Sequence, residues 1–188
     1  MSPSSERSVR AVCLFCGARD GARPEYVRAA QEFGAALARA GVNLVFGGGT
    51  IGIMGAASRA AKDAGGRAIG VIPKSLLERE GGRPGEPDLH VVDTMHERKA
   101  LMHELSDAFV VLPGGLGTYE EFFEILTWRQ LGIHDKPIVV VDVEGYYGPL
   151  RDIVAHGVTE GFVSDTDHDL CVIVDTVDEA LAVLGIAR

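Results

Sequence analysis

Apolar and polar positions come in blocks along this chain rather than alternating residue by residue. Short apolar runs at 9–16, 43–46, 68–72, 107–112, 137–142 and 170–174 show no clean two-residue period. Strands covered on both faces read this way, because neither face meets water. Between them, at 24–40, 52–65, 95–105, 118–132, 147–157 and 176–185, apolar residues return at helical spacing. Pro24 suits the first turn of the first helix and Gly41 suits its end. The βαβα order predicts an α/β fold with a doubly wound, mostly parallel sheet and helices on both faces. Ligands of such sheets sit beyond the carboxyl ends of the strands, where the glycine-rich turns of this chain fall.

Three segments depart from the plain pattern. The stretch 74–94, "KSLLEREGGRPGEPDLHVVDT", reads as irregular, and a loop of that length is either a lid over a site or a plain surface loop. The helix at 118–132 is apolar around most of its circumference, through Phe122, Phe123, Ile125, Leu126, Trp128 and Leu131. One side must cover the sheet. The other meets a second copy in a two-fold dimer, or a neighbouring helix. In the helix at 95–105, Met95, Leu101, Met102 and Leu105 form one apolar stripe with Arg98 in its middle and Lys99 at its edge. Arg98 either snorkels to solvent or is partly buried, and a buried guanidinium needs a carboxylate or phosphate partner.

Two glycine loops follow strands and open helices. In "FGGGTIGIMG", 46–55, Gly47, Gly49 and Gly52 fit G-x-G-x-x-G. This loop follows the second strand, and the next strand ends without the acid that binds a ribose 2′-hydroxyl, which disfavours a nicotinamide dehydrogenase. Gly48 and Gly49 are placed on the ligand side of this loop, against the alternative that the glycines only allow a tight turn. In "VVLPGGLGTYEEF", 110–122, three glycines and a threonine precede two adjacent glutamates. A glycine turn at a helix start favours anions, yet two carboxylates there repel a phosphate. Thr118 and Glu121 also fit a capping box, which explains one glutamate but not the glycines.

At 188 residues the chain is read as one domain, 9–188, behind a flexible polar tail at 1–8. A formal net charge of −9 argues against nucleic-acid binding but leaves room for a small phosphorylated ligand held by local cations. No apolar run approaches the roughly 18 residues that span a bilayer, and "MSPSSERSVR" has no apolar h-region, so no membrane partner is expected and the placement is cytoplasmic. Cys13 and Cys16 form C-x-x-C, but three apart in a strand they face opposite ways, which favours reduced, packed thiols over a redox or zinc pair. Neither His96-Glu97 nor His103-Glu104 extends to H-E-x-x-H, and no metal or cofactor is expected.

Taken together, "GGGTIGIMG", "VIPKSL", "MHERK", "SDAFVVLPGGLGTYEE" and "WRQLGIHDKP…GYY" resemble the Lonely Guy (LOG) family. Its members are cytokinin riboside 5′-monophosphate phosphoribohydrolases, long mislabelled lysine decarboxylases. The likeness runs from about Cys13 to Val174, with PGG-x-GT-x-x-E at Pro113 to Glu121 and the helix Arg-Lys at Arg98-Lys99. It implies a Rossmann-like, usually dimeric fold. It also implies hydrolysis of the N-glycosidic bond of an adenosine 5′-monophosphate, plain or N6-modified, giving free base and ribose 5-phosphate. By motif, Arg98 and Glu121 match the catalytic pair. Glu80, Lys99, Gly114, Gly115, Leu116, Gly117, Thr118, Tyr119, Glu120 and Thr127 match substrate-binding positions. Where the family often has C-G-S-S-x-G, this chain has "CGARDG", with Ala18 and Arg19 replacing two hydroxyl side chains. The partner implied is a small nucleoside monophosphate, and the other reading is a non-catalytic carrier of a nucleotide or nucleotide cofactor on the same fold. No lysine is marked out for pyridoxal phosphate, so the decarboxylase label is rejected.

Overall fold

A computed structural model describes residues 8–77, 88–164 and 169–187. Its chain order is β1 (Ala11–Phe15), α1 (Pro24–Arg39), β2 (Asn43–Phe46), α2 (Gly52–Asp63), β3 (Ala68–Pro73), α3 (Lys74–Leu77), β4 (Leu89–Val92), α4 (Met95–Glu104), β5 (Ala108–Val111), α5 (Leu116–Gln130), β6 (Ile138–Val141), a 3₁₀ turn (Val143–Gly145), α6 (Gly148–Thr159), β7 (Val172–Val174) and α7 (Val177–Val183). The seven strands form one sheet in the order β4-β3-β2-β1-β5-β6-β7, and every pairing is parallel. The α/β class and doubly wound sheet expected from the pattern are therefore present.

Strand order reverses at β1, which has β2 on one side and β5 on the other. In register, Leu14 lies beside Phe46, and Phe15 lies beside Val111. The turns after β1, β2 and β5 therefore emerge together at the switch point, where such sheets place their ligands. Alternate residues of β1 feed different cores. Val12 and Leu14 pack with Phe33, Ile53 and Leu181 of α1, α2 and α7. Cys13 and Phe15 pack with Met102, Phe122 and Leu150 of α4, α5 and α6. Burying both faces accounts for the unbroken apolar runs. It also separates Cys13 from Cys16, which are both buried and free.

Two expectations are corrected. The stretch 74–94 is not wholly irregular: it holds α3 and β4, and β4 pairs with β3, Gly70 beside Leu89. β4 escaped the pattern because it is a four-residue edge strand whose His90 and Val91 are exposed, so it lacks the buried signature. The lid reading is thus confined to residues 78–87, which lie outside the described residues, as do Glu80 and residues 1–7 of the tail. The capping box at Thr118 does not form. α5 starts at Leu116, its N-cap is Gly115 in an extended conformation, and no side chain caps it. Once Gly115 takes the half-in position, Thr118 lies inside the first turn. Capping boxes form instead at Thr94 with Glu97 and at Thr176 with Glu179.

Candidate active site

Arg98 is the side chain on which the site is built. It rises from the first turns of α4 into the sheet edge, with its side chain 5% exposed, so the snorkelling alternative fails. Its Nε–H donates to the Val71 carbonyl at 3.1 Å and its Nη2–H to the Gly47 carbonyl at 2.9 Å. The guanidinium thereby ties the ends of β2 and β3 to α4. Its Nη1 stands 3.7 Å from Glu121 Oε1, an ion pair rather than a tight hydrogen bond. The Glu121 side chain is 8% exposed. Its charge adds to the stronger effect of burial in raising the thiols of Cys13 and Cys16, so both stay protonated.

Gly47 has no room for a side chain, since a Cβ there would fall 1.9 Å from Arg98 Nη2. The glycines of this first loop let a backbone carbonyl meet a buried cation. Gly48 and Gly49 follow on the same edge, and the Gly49 N–H reaches Met54 Sδ at 3.3 Å. The start of α2 is already occupied by the chain itself. Met54 N–H donates to the Gly17 carbonyl at 3.1 Å, and Ile53 N–H is 3.5 Å from the Arg19 carbonyl. The turn carrying Ala18 and Arg19 therefore sits over that helix end.

The start of α5 differs. Its first N–H groups have no carbonyl four residues back, and Gly115, Leu116 and Gly117 are exposed. A Cβ at Gly114 would fall 2.1 Å from Thr118 Oγ1, so close packing of the turn on Thr118 requires glycine there. Lys99 is buried between two carboxylates of α5: its Nζ donates to Glu120, and to Glu124 at 2.9 Å. Burial pulls its pKa down, but the bonds to Glu120 and Glu124 outweigh that and leave it raised, so it is a fixed cation. Thr127 is exposed and donates to the Phe123 carbonyl at 2.7 Å. It stands eleven residues beyond Leu116, about 16 Å along the axis at 1.5 Å per residue, so it does not share the anion end of the helix. The structure thus brings Arg98, Lys99, Glu120, Glu121 and the turn 114–119 together, and leaves Thr127 apart.

Tyr146 and Tyr147, the tyrosines of the "GYY" stretch, buttress this turn, although the motif assigns them no role. The Tyr147 hydroxyl donates to the Leu112 carbonyl at 2.7 Å, and the Tyr146 hydroxyl donates to the Gly114 carbonyl. Their signal in the sequence is position: an aromatic pair one short turn beyond the carboxyl end of β6.

A doubly wound parallel sheet, with a glycine-led helix start that no side chain caps and a buried Glu–Arg pair at the strand switch point, defines a Rossmann-like α/β protein. A family profile described as "Possible lysine decarboxylase" matches residues 54–184. A cytokinin riboside 5′-monophosphate phosphoribohydrolase of Rhodococcoides fascians is 42% identical over 98% of this chain and 93% of its own. One from Arabidopsis thaliana is 45% identical over 90% of this chain and 79% of its own. The chain belongs to the Lonely Guy family of phosphoribohydrolases. Among solved structures, the molybdenum cofactor carrier protein of Chlamydomonas reinhardtii superposes with a TM-score of 0.68 at 22% identity, covering 93% of this chain and 95% of its own. The molybdenum cofactor binding protein of Rippkaea orientalis gives 0.69 at 20%, covering 93% and 94%. At that identity the likeness is one of fold.

Proposed function

We propose that the protein hydrolyses the N-glycosidic bond of adenosine 5′-monophosphates, N6-modified or plain, releasing the free base and ribose 5-phosphate. The observation that carries this reading is the buried Glu121 carboxylate, held beside Arg98 one turn below the open amides of α5. Cleavage of a glycosidic bond builds positive charge on the ribose, as in the oxocarbenium-like transition state of glycoside hydrolysis. A carboxylate near the anomeric carbon stabilises that charge or positions the attacking water. Arg98 orients Glu121 and keeps a positive charge beside it. The amides of the turn and Thr118 hold the phosphate a few ångströms away. Glu120 and Lys99 border the same space, and Gly48 and Gly49 line its β2 side. Relatives 42% and 45% identical that are named for this activity support the assignment.

We further infer a homodimer. Phe123, Leu131 and Ile133, on and just beyond α5, are exposed, and a second copy packed on this face would remove them from water. Three free cysteines fit a reducing, cytoplasmic setting. Among the described residues no helix is long and apolar enough to cross a membrane.

The test is base release, followed by chromatography, from AMP and from isopentenyladenosine monophosphate, for the native protein and for Glu121→Gln and Arg98→Ala. The native protein is expected to release base, and each variant to lose at least about 100-fold in kcat. Binding without any base release would favour a carrier. Undiminished turnover in both variants would overturn the site assignment.

A further inference from the structure

Three successive carbonyls of the turn after β5 are pinned from outside the turn. Leu112 accepts from the Tyr147 hydroxyl at 2.7 Å, Pro113 accepts from the Gly17 N–H at 3.0 Å, and Gly114 accepts from the Tyr146 hydroxyl. In a trans peptide the C=O and the following N–H share a plane and point in opposite directions. Fixing the Pro113 carbonyl therefore aims the Gly114 N–H, and fixing the Gly114 carbonyl aims the Gly115 N–H. Gly115 is the N-cap of α5, and a Cβ placed on it would meet nothing within 4 Å. Gly115 itself is exposed.

The hydroxyl that performs this pinning is itself held. Tyr119 donates to the Tyr146 hydroxyl at 3.0 Å, so the single Tyr146 proton is committed to Gly114. Burial, and then the bond from Tyr119, push the Tyr146 pKa up to about 12. The ring is fixed edge-on against Tyr26 at 5.6 Å and Tyr147 at 5.0 Å between centroids. The chain has four tyrosines, and all four gather behind this one turn. Two consecutive glycines carry the greatest backbone freedom of any pair, and a donor array works only when its dipoles are oriented before the ligand arrives.

We propose that Tyr146 is a positioning residue: by holding the Gly114 carbonyl, it aims the Gly115 N–H at the phosphate of the substrate. This rests on the reading of the turn as the phosphate end of the site. Tyr146 acts through Gly114, and Tyr119 acts through Tyr146.

The experiment compares the native protein with Tyr146→Phe and Tyr26→Phe, both of which keep the ring stack. Ribose 5-phosphate, which carries the phosphate, and adenine, which does not, are titrated as competitive inhibitors of AMP hydrolysis. Tyr146→Phe is expected to weaken ribose 5-phosphate and raise the KM for AMP by about three- to tenfold, the worth of one hydrogen bond. Adenine inhibition stays unchanged. Tyr26→Phe, which leaves the Gly114 bond in place, changes ribose 5-phosphate affinity by no more than about twofold. A loss shared equally by adenine and ribose 5-phosphate marks a merely structural role and overturns the proposal, as does unchanged ribose 5-phosphate affinity in Tyr146→Phe. A second readout needs no variant: the Gly115 amide resonance of the native protein shifts on addition of ribose 5-phosphate, and a resonance that stays put overturns the proposal. Base release by the native protein with no phosphate-specific loss in Tyr146→Phe defeats the positioning role alone. Absence of both base release and ribose 5-phosphate binding in the native protein defeats the functional reading, and the positioning role with it.

Discussion

Replacing Gly47 by alanine perturbs the buried Arg98–Glu121 pair without removing a charge. The added methyl would fall 1.9 Å from Arg98 Nη2 and 3.0 Å from Cζ, where ordinary contact is about 3.5–4.0 Å. Gly47 is not among the positive-φ residues, so the backbone accepts alanine and the clash acts alone. Met54 Cε, at 3.2 Å, closes off part of the space around the new methyl. The guanidinium must retreat by about 1.5–2 Å to restore contact distance. That movement breaks the 2.9 Å bond to the Gly47 carbonyl, strains the 3.1 Å bond to Val71 and displaces Nη1 from Glu121. Hydrogen bonds from a charged donor are each worth about 1.5–3 kcal/mol, so a destabilisation of about 2–4 kcal/mol is expected. Because a 1 Å displacement can cost about 100-fold in rate, kcat should fall by at least about that factor. Urea denaturation and chromatographic base release measure the two effects. Gly148→Ala is the control, since its methyl meets nothing within 4 Å. Native stability and native turnover in Gly47→Ala would refute the claim that Arg98 is fixed by this carbonyl.

The two members of the buried pair should differ in their effect on stability. Arg98→Ala takes the cation from a buried carboxylate and the donors from two carbonyls and should cost about 3–5 kcal/mol, whereas Glu121→Gln leaves the Val71 and Gly47 bonds intact and should cost about 1–2 kcal/mol; equal urea midpoints would contradict this order. His103 gives a pH dependence. Its Nε2 is buried without a partner among the described residues, and burial, then Lys136 and His134, lower its pKa from 6.5 to about 4. Above pH 6.5 both folded and unfolded states are neutral there. Between 6.5 and about 4 the unfolded state takes up a proton that the folded state refuses, so stability falls as pH falls. His103→Phe should flatten that slope in urea midpoints measured from pH 4.5 to 7, with His134, also lowered by burial, keeping part of it; an unchanged slope would contradict the assignment. Lys99→Met leaves Glu120 and Glu124 uncompensated and should raise the KM for AMP by about two- to fivefold at low salt. The effect should fade near 1 M, where screening falls to about 3 Å, and a salt-independent change would point to packing instead.

Legibility followed burial. The central strands were plain in the sequence because both faces are covered, so β2, β5 and β6 emerge within a residue of their apolar runs. β4 was not legible, because an edge strand with exposed side chains carries no such signature. Arg98 was readable as a misfit, a guanidinium inside an apolar stripe, and its burial confirms that the misfit had a partner. Thr118 misled because S/T-x-x-E describes a spacing and not the residue at which the helix begins, a choice that here falls to the extended backbone of Gly115. Tyr146 and Tyr147 act through hydroxyl bonds to carbonyls more than thirty residues away. No local pattern encodes a bond of that separation.

A phosphate loop followed by two glutamates is an electrostatic contradiction only while the charges are counted along the chain. In the fold, α4 brings one cation to each carboxylate: Arg98 to Glu121 and Lys99 to Glu120. The first N–H groups of α5 form the positive end of that helix, which favours an anion. The two pairs are not equivalent. The Glu120 side chain is 52% exposed, and water screens its charge. Glu121 is 8% exposed and stands 3.7 Å from its cation, close enough to be oriented but not tightly bonded. Under the proposed function, a carboxylate so buried answers positive charge developing on a ribose, because little water competes for it. Under the proposed function the glycine turn and the glutamates would serve opposite ends of one substrate, and α4 is the element that brings a cation to each carboxylate.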